Sequence, residues 1–196
     1  MHGYVTRNLE KMGVHLTTAF VYMYAKSGNL ASARLLFNGL NQKSIVSWTA
    51  MIAGYIHCNK LEEGVKLSAR MIEERIKPNE ITLLSLVIEC GFVGALELIK
   101  QLHAYILRNR ICVSLALATA LVDMYGKCGE IRNAKAVFDT VKNKDVMTWT
   151  AMIAAYAQDH CIDQAFDLFV KMRDNGVRPN QVTMATMLSL CRGRSP

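Results

Sequence analysis

Two consecutive acid pairs, Glu62-Glu63 and Glu73-Glu74, one Asp159-His160 pair and six cysteines are the groups that could carry covalent or acid–base chemistry in this 196-residue chain. General acid–base work needs carboxylates that converge on a substrate, whereas neighbours on a helix point in different directions and default to solvent. Asp159-His160 lies in an inter-helix turn that suggests no catalytic third partner. Cys58, Cys90, Cys112, Cys128, Cys161 and Cys191 never fall within a C-x-x-C spacing, which argues against a zinc knuckle. Their scatter through apolar segments suits reduced thiols in a core, with no disulfide framework. The expectation is a chain that is not itself an enzyme and needs no metal or cofactor. What remains is hydrogen-bonding chemistry, from threonines and asparagines that recur at fixed places.

Position is set by the elements, and composition favours helix: 52% of residues are apolar, with twelve glycines and only three prolines. With 23 basic and 16 acidic residues the net charge is +7, which attracts polyanions such as nucleic acid or an anionic membrane surface. The run Ile81 to Ile99 has the length of a membrane span, but Glu89 and Glu97 interrupt it and Gly91 and Gly94 bracket a turn. Two packed helices are expected there, and no membrane insertion. Residues Met1 to Glu10 hold no apolar signal core, so targeting is either absent or lies outside this sequence.

Sliding the sequence along itself reveals a gap-free internal repeat at a shift of 101 residues. Trp48-Thr49-Ala50-Met51-Ile52-Ala53 falls on Trp149-Thr150-Ala151-Met152-Ile153-Ala154, and Pro78-Asn79 on Pro179-Asn180. Met23-Tyr24, Gly28, Ala33 and Phe37 fall on Met124-Tyr125, Gly129, Ala134 and Phe138, and His2 and Tyr4 on His103 and Tyr105. Within this long unit, segments 45–79, 80–114 and 115–145 each read as two helices, flanked by 14–44 and 146–180 and by partial units 1–13 and 181–196. The incomplete ends predict that the array continues. Gly28 and Gly129 should end first helices, Ala33 and Ala134 should allow close helix approach, and Pro78 should end a second helix. Trp48 and Trp149, at helical spacing with Met51 and Met152, are expected in the core. A lone hairpin cannot bury its apolar face, so stacking gives an all-α solenoid with a groove lined by first helices.

Units of 35, 35 and 31 residues ending near Lys/Arg-Pro-Asn, with helices reading Trp-Thr-Ala-Met-Ile-Ala and Ala-Leu-Val-Asp-Met-Tyr-Gly-Lys-Cys-Gly, resemble pentatricopeptide repeats, and their alternation resembles the plant PLS class. The resemblance implies a right-handed α-solenoid with a partial L repeat at 1–13, S at 14–44, P at 45–79, L at 80–114, S at 115–145, P at 146–180 and a partial L at 181–196. It also implies sequence-specific binding of single-stranded RNA, one base per repeat, the chain running parallel to the RNA. By the resemblance each base is read by the fifth and last residues of a motif: Thr18 with Ser44, Thr49 with Asn79, Leu84 with Ser114, Thr119 with Asp145 and Thr150 with Asn180.

Thr plus Asn reads adenine and Thr plus Asp guanine in that family, which implies 5′-N-A-N-G-A-3′, with Thr18/Ser44 and Leu84/Ser114 unread. The second motif residues, Val46, Ile81, Ala116, Met147 and His15, should flank the bases. Lys77, Lys144 and Arg178 could contact phosphates or form an ordinary solvated face. The implied role is organellar RNA processing or selection of C-to-U editing sites, in mitochondrion or chloroplast, with editing factors or a deaminase supplied in trans. A protein-binding scaffold is the rival, favoured by the mean hydropathy of +0.15 and by Leu84 in the groove.

Overall fold

The computed structural model describes residues 13–192, which contain eleven α-helices and no strand. The first partial unit, with His2 and Tyr4, and residues 193–196 lie outside the described residues. The chain divides into two compact units at Val93/Gly94.

The first unit holds α1 (Val14–Lys26), α2 (Leu30–Asn38), α3 (Ile45–His57), α4 (Leu61–Glu73) and α5 (Glu80–Phe92). Helix α3 is its centre, packed on α1 and α5 along the row of first helices and backed by α2 and α4. The second unit holds α6 (Leu96–Arg108), α7 (Leu115–Lys127), α8 (Ile131–Thr140), α9 (Val146–Gln158), α10 (Ile162–Asp174) and α11 (Gln181–Arg192). There α9 takes the central place, packed on α7 and α11 and backed by α8 and α10.

Local chemistry explains where the helices begin and end. Asn29, Ser44, Asn79, Ser114 and Asp145 each accept a backbone N–H three residues on, capping α2, α3, α5, α7 and α9. Gly28 and Gly129 end α1 and α7 at φ of 80° and 74°, the left-handed conformation glycine adopts freely. Pro78 does not end α4. That helix stops at Glu73, where Arg75 takes φ 61° and the Ile76 amide donates to the Met71 carbonyl, a hydrogen-bonded stop that needs no proline. Pro78 sits downstream, in the link to α5.

Trp48 is fully buried and meets Phe37 edge-on, and Trp149 meets Phe138 in the same way, with ring centroids 4.9 and 5.2 Å apart. Ala33 and Ala134 are fully buried. The apolar run from Ile81 becomes α5 and α6, separated by a turn at Gly94. Among the described residues no helix is long and apolar enough to cross a membrane.

Candidate functional site

The threonines and the motif-end residues meet through a third group. Asn79 caps α5: its Oδ1 accepts the Thr82 backbone N–H at 2.9 Å and the Thr82 hydroxyl at 2.9 Å. The Thr82 hydroxyl then lies 2.9 Å from Thr49 Oγ1 on α3. The same three-residue relay appears twice in the second unit. Thr148 joins Asp145 Oδ1 at 2.8 Å to Thr119 at 2.7 Å, and Thr183 joins Asn180 Oδ1 at 2.9 Å to Thr150 at 2.7 Å.

Counting protons gives each relay a direction. An amide or carboxylate oxygen only accepts, so Thr82, Thr148 and Thr183 spend their single hydroxyl protons on the cap. Thr119 must then donate to Thr148, whereas the single protons of Thr49 and Thr150 are held inward by the Ile45 and Val146 carbonyls or by the Thr82 and Thr183 hydroxyls. Toward any ligand these threonines therefore present lone pairs, where sequence reasoning allowed a donor as well. The backbone N–H fixes Oδ1 as the inward atom of each cap. Asn79 and Asn180 are left with a free Nδ2 donor and Asp145 with a free Oδ2 acceptor, uncommitted among the described residues.

Two pairs form no relay. Ser44 caps α3, but the Ser47 hydroxyl turns back to the Ser44 carbonyl at 2.8 Å, and Thr18 Oγ1 is buried with no partner among the described residues. Leu84 is half-buried, and Ser114 only caps α7, through the Leu117 amide. Sequence reasoning missed Thr82, Thr148 and Thr183, although each stands three residues after its capping Asn or Asp, the spacing of a helix N-cap.

In the first unit the relay opens into a recess of about 400 Å³ walled by α1, α3 and α5. Thr49, Asn79 and Thr82 line it between Val46, 66% exposed, and Ile81, 73% exposed. Tyr22, Lys26 and Glu89 close its far end. A neighbouring recess of about 380 Å³ is lined by His15, Thr18, Ser44 and Val46. In the second unit Ala116, Met147 and Val182 are exposed at the corresponding helix starts; Val182 was not anticipated. Lys144 is turned to the other side, its ammonium donating to the Val141 carbonyl and lying 4.7 Å from the Phe138 ring centre. Lys77 and Arg178 are exposed. No cluster of three or more His, Cys, Asp or Glu that could hold a metal occurs among the described residues.

Elsewhere in the second unit, His103 Nδ1 lies 3.0 Å from Tyr125 Oη. Burial holds the His103 imidazole below its ordinary range and pushes the Tyr125 phenol up to about 12.

Comparison with known proteins places these features in a family. Residues 43–90 and 144–192 match the model of the PPR repeat family, and residues 117–146 match that of the PPR repeat. A mitochondrial pentatricopeptide repeat-containing protein of Arabidopsis thaliana is 40% identical over 89% of the chain and 25% of its own length. A chloroplastic one from the same plant is 36% identical over 90% of the chain and 24% of its own length. The chain thus spans about a quarter of these relatives. The fold matches the crystal structure of the pentatricopeptide repeat protein PPR10 in complex with an 18-nt psaJ RNA element, with TM-score 0.81 and 16% identity over 97% of this chain and 29% of that one. It also matches the PPR domain of Arabidopsis thaliana protein-only RNase P 1 in complex with tRNA, with TM-score 0.66 and 14% identity over 91% of this chain and 98% of that one. The all-α architecture is the solenoid fold of these proteins.

Proposed function

The chain belongs to the pentatricopeptide repeat family, and on that premise we propose that it binds single-stranded RNA, one base to each of the repeats 14–44, 45–79, 80–114, 115–145 and 146–180. The observation that carries this reading is the set of three relays, which present two atoms of defined polarity at each of three repeats.

Hydrogen-bond matching then assigns bases. Asp145 Oδ2 and the Thr119 lone pair are two acceptors. Guanine is the base whose Watson–Crick edge sets two donors side by side, N1–H and N2–H₂. Asn79 Nδ2 with Thr49, and Asn180 Nδ2 with Thr150, pair a donor with an acceptor. Adenine answers with N1 and N6–H₂. Cytosine presents the same pair on a smaller ring and belongs in the test. Val46 and Ile81, apolar and exposed on either side of the first pair, would cover the two faces of its base. The net charge of +7 supplies sequence-independent attraction to the backbone.

The order of the repeats gives the register 5′-N-A-N-G-A-3′. The mitochondrial and chloroplastic relatives favour an organellar transcript as the target. Addressing, with any editing or processing step supplied by a factor or deaminase in trans, is the role proposed for the chain.

The test is a fluorescence titration of the chain against short RNAs with each readable base exchanged in turn. Each exchange should cost about 1–3 kcal/mol of binding free energy. Equal affinity for all sequences would overturn the base reading. Failure to bind RNA at low salt, with capture of a peptide instead, would make the array a protein-binding scaffold.

A further inference from the structure

Glu89 is a carboxylate only 8% exposed on α5, at the far end of the recess into which Thr49 and Asn79 open. Its two oxygens are occupied by different helices. Lys26 Nζ of α1 donates to Oε1 at 2.5 Å, and His57 Nδ1 of α3 lies 3.0 Å from Oε2. The recess has two charged lining residues, Lys26 and Glu89, and they are this ion pair. The Lys26 side chain remains 43% exposed, so its ammonium stands at the recess edge, within reach of a polyanion.

Coulomb attraction between the recess and a phosphate scales with the net charge there. A lysine alone would supply one unit. With Glu89 in place that unit is cancelled, and the acid also holds the imidazole.

We propose that Glu89 sets the RNA affinity of this repeat by masking Lys26 from the phosphate backbone, leaving base choice to Thr49 and Asn79. This rests on the RNA-binding reading above. The Lys26 ammonium, held above its ordinary range by the bond to Glu89, stays charged at neutral pH, so the masking is by pairing and not by loss of the proton. Among the described residues the second unit has no such arrangement. The residue 101 positions after Glu89 is Leu190, buried, and those after Lys26 and His57 are Lys127 and Gln158. Lys127 pairs with Asp123 of its own helix.

The experiment compares the full chain with E89Q, K26M/E89Q and N79D, by anisotropy titration of RNA carrying 5′-N-A-N-G-A-3′ and of the same RNA with G or C at the second position. E89Q is close in shape and should melt normally. It should bind on the order of fivefold tighter at low salt, the effect of about one unpaired charge near 4 Å in water. Between about 50 and 200 mM salt its slope of log K against log salt should steepen by about 0.7, one further phosphate contact on a single strand. The gain should be equal for all three RNAs and should vanish in K26M/E89Q. E89Q binding no tighter than the parent, or tighter for one base only, overturns the masking proposal.

N79D separates this from the base reading. A uniform E89Q gain with no change of base preference in N79D keeps the role of Glu89 and removes the reading of the base. A base switch in N79D with no E89Q gain does the reverse. If none of the four proteins binds RNA, both fall.

Discussion

Helices α3 and α9 occupy equivalent places in their units and are built alike, yet the structure differs around them in two ways. Each carries the threonine of a relay, Thr49 or Thr150, each places a tryptophan edge-on to a phenylalanine, and each is followed by an Asn cap. Around that constant frame the stacking contact is reversed. In the first unit Gly54 of α3 lies against Ala25 of α1, and in the second Ala155 of α9 lies against Gly126 of α7. The other difference is at the recess end, where Glu89 has Leu190 as its counterpart. The comparison separates what the fold demands from what it leaves free. One glycine per contact is required on either helix, whereas the charge beside the relay can be written independently.

The largest effect on stability should come from that contact. A Cβ on Gly54 would overlap the Ala25 methyl and approach its backbone, which cannot yield as a flexible side-chain end could. Gly54→Ala should cost about 1–3 kcal/mol in chemical denaturation, and Gly126→Ala a similar amount in the second unit. If Gly54→Ala is made in an Ala25→Gly background, most of the loss should return, because the pair then has the arrangement of the other unit. No rescue would break the equivalence of the two contacts.

A smaller effect, of about 1 kcal/mol in base discrimination, is expected from Thr82→Val. The cap through the Thr82 backbone N–H survives, but Thr49 loses the hydroxyl that ties it to Asn79 Oδ1 and is positioned by the Ile45 carbonyl alone. Thr183→Val should act in the same way at Thr150. Titration with base-exchanged RNAs reads both, and an effect at one site but not the other would show that the relays are not equivalent.

Arg75 holds φ 61° where its counterpart Gly176 holds 74°. Arg75→Gly should therefore raise stability by up to about 1 kcal/mol, measured by thermal unfolding. In the second unit, burial depresses the His103 pKa, so the folded state prefers the neutral ring. The stability this group contributes is complete above the ordinary imidazole value of 6.5 and is lost as pH falls through the lower folded value. His103→Gln should flatten that acid limb in unfolding measured from about pH 7 to 5.

Much of this architecture could be read from local pattern. The repeat placed Trp48 and Trp149 in the core and Gly28 and Gly129 at helix ends, because periodicity and left-handed caps are local signals. Pro78 misled as a helix terminator, since Arg75 had already stopped α4 at a cost no residue type announces. At the site, Thr49 and Asn79 were named from the resemblance alone. The hydroxyl that joins them was visible as the capping spacing in Asn79-Glu80-Ile81-Thr82 but was not connected to a threonine on the preceding repeat. Glu89 read as an interruption of an apolar run. Its partners lie 63 and 32 residues away, and no periodicity reports a pairing of that kind.

Reciprocal exchange of the outward atom tests the central claim most directly. Asn79→Asp replaces the free Nδ2 donor by an acceptor, and Asp145→Asn does the opposite, while each keeps the Oδ1 that caps its helix. In titrations against RNAs differing at the second and fourth bases of 5′-N-A-N-G-A-3′, the first variant should shift its preference from A to G and the second from G to A, each by about 1–3 kcal/mol. Two variants that fold, bind and keep the parent's preferences would contradict the account.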